Sequence, residues 1–128
     1  MKIKLDDTKP IFLQIKEMLE DSIISNTLKE GDRVPSTNEL AAHYKINPAT
    51  AAKGINELVA EEILYKRRGV GMFVAENARN ILLEKHQANF YEEYIRPLKQ
   101  AAQKLDIDKD ELLKMLQRPA VICQEVNK

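Results

Sequence analysis

The sequence predicts a mainly α fold with one small β hairpin, an α+β arrangement in which a compact N-terminal domain carries a short helical C-terminal region. Three observations carry this. Two helix starts lie eleven residues apart, at Ser36 and Asn47; two short apolar runs flank Gly69-Val70-Gly71; and beyond residue 76 apolar residues recur at spacings of three, four and seven. The 128 residues allow one compact domain or a small domain with an appendage, with a composition of 44% hydrophobic and 31% charged that is ordinary for a globular chain. No apolar run approaches the roughly 20 residues needed to cross a bilayer, and Met1 to Asp6 lack a signal-peptide core, so a cytoplasmic protein is expected. A single cysteine, Cys123, excludes an intramolecular disulfide and fits a reducing compartment.

After an alternating start at Ile3 and Leu5, the stretch from Thr8 to Asn26 sets Ile11, Phe12, Ile15, Leu19 and Ile23 on one face of a helix. Asp7 or Thr8 is its expected cap, with Pro10 in the first turn, and Gly31 closes the loop after Leu28. Asp32-Arg33-Val34 precedes Pro35, which pushes it to extended backbone that could join a small sheet. Ser36 with Glu39 three residues on is a capping box, opening a helix whose inner face is Leu40, Ala41 and Tyr44, with Ile46 plugging the turn. Asn47-Pro48 is an N-cap followed by a first-turn proline. The second helix should bury Ala51, Ile55, Leu58 and Val59 and leave Ala49, Thr50, Lys53, Asn56 and Glu57 outside. Eleven residues hold about two turns and a three- or four-residue connection, which is helix-turn-helix spacing. The small, polar start of the second helix suits close approach to a groove, where first-turn amides favour phosphate oxygens; an ordinary capped surface helix is the plainer reading.

Ile63 to Arg68, Gly69-Val70-Gly71 and Met72-Phe73-Val74 read as strand, glycine turn and strand, a hairpin with a basic tip. A hairpin after a helix-turn-helix is a wing, although a basic edge alone more often guards against aggregation. Net charge is zero, with 20 basic and 20 acidic residues, which as a sum argues against a nucleic-acid partner. Distribution reverses that. No acid falls between Glu39 and Glu57, where His43, Lys45 and Lys53 lie, nor between Glu62 and Glu76, where Lys66, Arg67 and Arg68 lie. The expected DNA contacts are Ser36, Thr37 and Asn38 on the backbone, Asn47, Pro48, Ala49, Thr50 and Lys53 in the major groove, and Arg67, Arg68 and Gly69 as the wing tip.

From Glu76 to Leu105 a long helix is expected, with a seam of Ile81, Ala88, Tyr91, Ile95, Leu98, Ala102 and Leu105 that Glu84 interrupts and Pro97 should kink or divide. Asp108 and Glu111 form a second capping box, opening a final helix with Leu112, Leu113 and Leu116 before Pro119 and an apolar tail, Ala120 to Cys123. Two helices enclose little core, so this seam is expected to pair with a second copy, giving a two-fold dimer on a dyad-symmetric operator, with recognition helices roughly 34 Å apart. The implied division is residues 1–75 for DNA binding and 76–128 for dimerisation and a possible effector.

Enzymatic and metal chemistry find no support. Asp106, Asp108 and Asp110 suggest calcium, but the sixth and twelfth positions of such a loop are Glu111 and Gln117 rather than glycine and glutamate. His43 and His86 lack a second ligand at metal spacing, the Glu92-Glu93 pair lacks a partner that would tune it, and no nucleophile or phosphate-loop motif is present. No cofactor is expected.

Pro10-Ile11-Phe12-Leu13-Gln14-Ile15, Leu28 to Ser36, Glu39-Leu40-Ala41 and Arg67 to Val74 together resemble the winged helix of the GntR family of bacterial transcription regulators, over about half the chain. Ile46-Asn47-Pro48-Ala49-Thr50 and the short C-terminal region are similar to its YtrA-like subfamily. The resemblance implies a winged helix-turn-helix followed by a dimerisation region, a dimeric repressor, a ligand-controlled switch and a transporter-related target. Many such relatives have an arginine where Asn38 stands and another near Pro48; this chain has neither. A winged helix used as a protein-binding adaptor is the competing reading.

Overall fold

The computed structural model describes residues 4–119. Its elements, in order, are α1 (Ile11–Ile24), α2 (Thr37–Tyr44), α3 (Pro48–Ala60), β1 (Leu64–Arg67), β2 (Gly71–Val74), α4 (Ala78–Phe90), a π-helical segment (Tyr91–Ile95), α5 (Arg96–Lys104) and α6 (Lys109–Gln117). Ile3 and the tail Ala120 to Cys123 lie outside the described residues. Packing divides the chain into two compact units between His86 and Gln87, later than the expected boundary at residue 75. The first unit extends that far because Ala78 and Leu82 of α4 are fully enclosed in its core.

That core is built from one face of each element: Ile15, Leu19 and Ile23 of α1, Leu40 of α2, Ala51, Ile55 and Leu58 of α3, and Ile63, Leu64 and Val74 around the hairpin. Val59, expected inside, is half-buried at its edge, as are Tyr44 and Ile46. The strands pair antiparallel, with Leu64 opposite Val74 and Arg67 opposite Gly71. The extended piece before Pro35 does join them: Val34 donates to the Met72 carbonyl at 2.9 Å, Val74 donates to the Asp32 carbonyl at 2.9 Å, and Arg33 bridges to Phe73. Gly31 turns into this piece with φ of 85°, in the left-handed region where a Cβ is penalised.

The start of α1 differs from expectation. Neither Asp7 nor Thr8 caps it; the helix opens at Ile11 with Pro10 in the cap position, because proline drives the residue before it out of helical backbone. The Asp6 carboxylate instead accepts the Thr8 amide at 2.8 Å, and buried Gln14 clamps the entry loop, its amide donating to the carbonyls of Asp6 (2.9 Å) and Lys9 (2.8 Å).

A chain of ion pairs crosses the first unit. Lys16 of α1, whose side chain is largely buried, meets Glu61 at 2.6 Å and Glu57 at 3.3 Å; Lys85 of α4 meets Glu61 at 3.4 Å and Glu20 at 2.9 Å; His86 lies 3.4 Å from Glu20. Glu20 is nearly enclosed, and α4 brings the Lys85 ammonium within 2.9 Å of it.

In the second unit the long helix is neither cut nor ended at Pro97. Helical backbone continues to Lys104, with a wider π turn over Tyr91–Ile95 in which the Arg96 amide reaches back to the Tyr91 carbonyl. A proline ring at residue 97 crowds the carbonyl four residues earlier, at Glu93, and the wider turn moves that carbonyl aside. Asp108 caps α6 by accepting the Glu111 amide at 2.8 Å. Among the described residues of this unit, Ala102 alone is buried.

Candidate nucleic-acid interface

The turn between α2 and α3 forms as its capping residues dictate. The Ser36 hydroxyl accepts the Glu39 amide at 3.0 Å and the Glu39 carboxylate accepts the Ser36 amide at 2.8 Å, closing the box. Those bonds hold the Glu39 carboxyl below its ordinary value, with the Arg33 guanidinium 3.6 Å away assisting. Lys45 adopts left-handed backbone, φ 57°, and ends α2. The Asn47 side chain accepts the Ala49 amide at 2.8 Å, with Pro48 in the first turn of α3. Because α3 packs on both α1 and α2, its N-terminal end is presented rigidly.

Asn47, Pro48, Ala49 and Lys53 are exposed, while Thr50 is half-buried and shows only part of its side chain. Ser36 and Thr37 are also half-buried, and Asn38 is open. At the hairpin tip Arg67, Arg68 and Gly69 are all exposed; Gly69 takes φ 77° and the Val70 amide closes the turn on the Arg67 carbonyl at 2.9 Å. The tip is braced from behind by Phe73, which stacks on Tyr65 at 5.8 Å between centroids and lies 5.3 Å from the Arg67 guanidinium. All eleven expected DNA-contact residues therefore fall on the first unit, and eight of them are exposed: Asn38, Asn47, Pro48, Ala49, Lys53, Arg67, Arg68 and Gly69.

Two residues on this surface were not among the expected contacts. Arg33 stands between the capping box and the hairpin: it reaches Glu39, and a Cβ placed on Gly71 would come within 3.0 Å of its Nε. Phe12 of α1 lies under Lys53, whose Nζ is 4.0 Å from the ring centroid. The acid-free windows were no guide to Arg33, since Glu30 and Asp32 precede it; the Phe12 contact joins residues 41 positions apart and has no periodic signature.

Of the expected pairing residues, Ala88, Tyr91, Leu105, Leu113 and Leu116 are exposed, Ile95, Leu98 and Leu112 are half-buried, and Ala102 is buried. Ile81 packs at the edge of the first unit's core. Among the described residues there is no group of three His, Cys, Asp or Glu side chains that could hold a metal ion, and no helix is long and apolar enough to cross a membrane.

Residues 12–74 match the family model of bacterial regulatory proteins, gntR family. The chain is 31% identical over 115 residues to an uncharacterised HTH-type transcriptional regulator of Bacillus subtilis, YhcF, spanning 88% of this chain and 92% of that protein. It is 37% identical over 75 residues to the HTH-type transcriptional repressor YtrA of the same organism, covering 59% of this chain and 58% of the relative. Among solved structures, a GntR family transcriptional regulator from Listeria monocytogenes superposes with a TM-score of 0.69 at 27% identity, over 88% of this chain and 97% of that one. The DNA-binding domain of AraR, solved in complex with an operator, superposes with a TM-score of 0.51 at 29% identity, over 59% of this chain and 92% of that domain.

Proposed function

The chain belongs to the gntR family of bacterial regulatory proteins, a family of regulators and not of enzymes, and we propose that it is a homodimeric, sequence-specific DNA-binding repressor of the bacterial cytoplasm, controlling a metabolite- or transporter-related operon. The observation that carries this is the exposed end of α3, held by the Asn47 cap and flanked by the basic hairpin tip, on a segment similar to a domain solved on operator DNA. Asn47, Pro48, Ala49 and Thr50 enter the major groove, Lys53 of the same helix reaches a base or a phosphate, Ser36, Thr37 and Asn38 lie along the backbone, and Arg67, Arg68 and Gly69 reach a neighbouring groove or phosphate.

Dimerisation through the second unit supplies the second half-site. An effector, in this reading, sits among the dimerising helices, where Lys99, Ala102, Gln103, Ile107, Lys109 and Leu112 line an open hollow of about 540 Å³. The alternative is a winged helix serving as a protein adaptor, which the zero net charge favours.

Selection of genomic fragments by the purified protein tests the proposal. An enriched dyad motif is expected, with affinity falling by several orders of magnitude between low and moderate salt if about 6 to 10 phosphates are contacted. Arg68→Ala should weaken every sequence alike, and Thr50→Ala should change the preferred one. An empty selection points to the adaptor.

A further inference from the structure

Resting on the DNA-binding reading, we propose that Lys53 is a phosphate contact rather than a base reader, that Phe12 is the residue positioning it, and that Gly54 is what lets the two meet. Glycine inside a helix costs about 1 kcal/mol relative to alanine, so Gly54 in the middle of α3 calls for a reason. The reason is contact with α1: a Cβ at Gly54 would lie 2.8 Å from the Phe12 carbonyl oxygen and 3.5 Å from the Lys16 amide nitrogen. Real Cβ atoms do not come that close to backbone, so only glycine permits this approach. The same approach sets the preceding residue against α1, and the Lys53 ammonium rests 4.0 Å from the centre of the Phe12 ring.

The consequence concerns direction and charge. Lys53 is drawn sideways from the exposed tip of α3 onto the α1 flank, and a helix seated in a groove has sugar–phosphate backbone along its flanks. An aromatic face attracts the ammonium without accepting its N–H bonds in the way a carboxylate does, so the donors remain open to an oxyanion. Among the described residues no carboxylate pairs with Lys53, and Glu57, one turn further along α3, is engaged by Lys16 at 3.3 Å. Holding a long, flexible side chain in place beforehand also reduces the ordering cost on binding.

The test uses the full chain and a duplex carrying the wild-type selected site, beside a scrambled duplex, over a range of salt. K53Q should lower affinity on both duplexes by the same factor and reduce the slope of log K against log salt by about 0.9 per subunit. F12L, which keeps an apolar side chain, should weaken both about fivefold, F12Y and F12W should restore binding, and F12L added to K53Q should cost nothing further. Thermal melting of each variant separates folding from binding, and the tyrosine and tryptophan variants keep an aromatic ring should F12L unfold. A change in sequence ranking by K53Q, or independent effects of F12L and K53Q, overturns the proposal while leaving the DNA-binding reading intact. A wild-type protein that selects no DNA overturns both.

Discussion

Ile15, Ile55, Leu58, Ile63 and Leu82 of the first unit have no accessible surface, while in the second Leu105 and Leu116 are 66% and 65% exposed and Phe90, Tyr91, Tyr94 and Leu113 lie open as well. Both stretches are helical, and α2, α3 and α6 each open on a side-chain cap. What separates them is closure: α1, α3 and the hairpin surround a common interior, whereas α5 and α6 each turn apolar side chains outward. A unit that completes its own core stands on local packing, whereas large apolar side chains left open, as in the second unit, are of the kind that mark interaction surfaces.

The sharpest way to break this contrast is a cavity in the closed unit. Ile55→Ala should cost about 2–5 kcal/mol in chemical denaturation, and a loss under 1 kcal/mol would mean that the interior collapses readily and is not tightly packed. The counterpart in the open unit is Leu116→Glu, which should leave the melting of the first unit unchanged, convert the protein to monomer in sedimentation, and lower affinity for a two-half-site operator about a hundredfold by removing the tether between half-sites. Unaltered sedimentation would remove α6 from the interface. Ser36→Ala, which deletes the hydroxyl half of the capping box, should destabilise the first unit by about 1 kcal/mol and leave dimerisation alone.

The smallest effect is a pH dependence in the ion-pair chain. Burial pushes the Glu61 carboxyl up, but Lys16 and Lys85 outweigh it and hold the group below its ordinary value. A carboxylate depressed in the folded state stabilises fully above its unfolded value and loses that contribution as pH falls through the folded one. Wild type should therefore exceed Glu61→Gln in denaturation at neutral pH by less than about 1 kcal/mol, given partial solvent screening, and the gap should close below about pH 4. A gap that persists in acid would assign the effect to packing.

Legibility followed sequence distance. The Ser36 and Glu39 box, the Asn47 cap and the glycine turn of the hairpin are contacts within three residues, so residue types at a fixed spacing suffice to find them. The start of α1 was misplaced because Asp7 and Thr8 look like caps, and the stronger constraint, Pro10 acting on the residue before it, sits two positions on. The Lys16–Glu61 and Lys85–Glu20 pairs span 45 and 65 positions, and charged residues at such distances carry no mark of which will meet. Phe12 was expected on the buried face of α1 and is half-buried outside the core, and no sequence pattern marked it as the seat of Lys53, since only the close approach at Gly54 brings them together.

The wide turn at Tyr91–Ile95 has a consequence for how such a gene can change in length. A π turn holds about one residue more than an α turn over the same rotation, so deleting a single codon there would leave an unbroken helix whose later side chains keep their facing, whereas the same deletion in a regular helix would rotate them by about 100°. Pro97 opposes this, because in a regular helix its ring would meet the carbonyl four residues back at a cost of about 3 kcal/mol. The extra residue and the proline are thus tied as a pair: a one-codon deletion becomes tolerable only with replacement of Pro97, and the two changes together would shorten the helix by one residue while leaving its later apolar stripe facing as before.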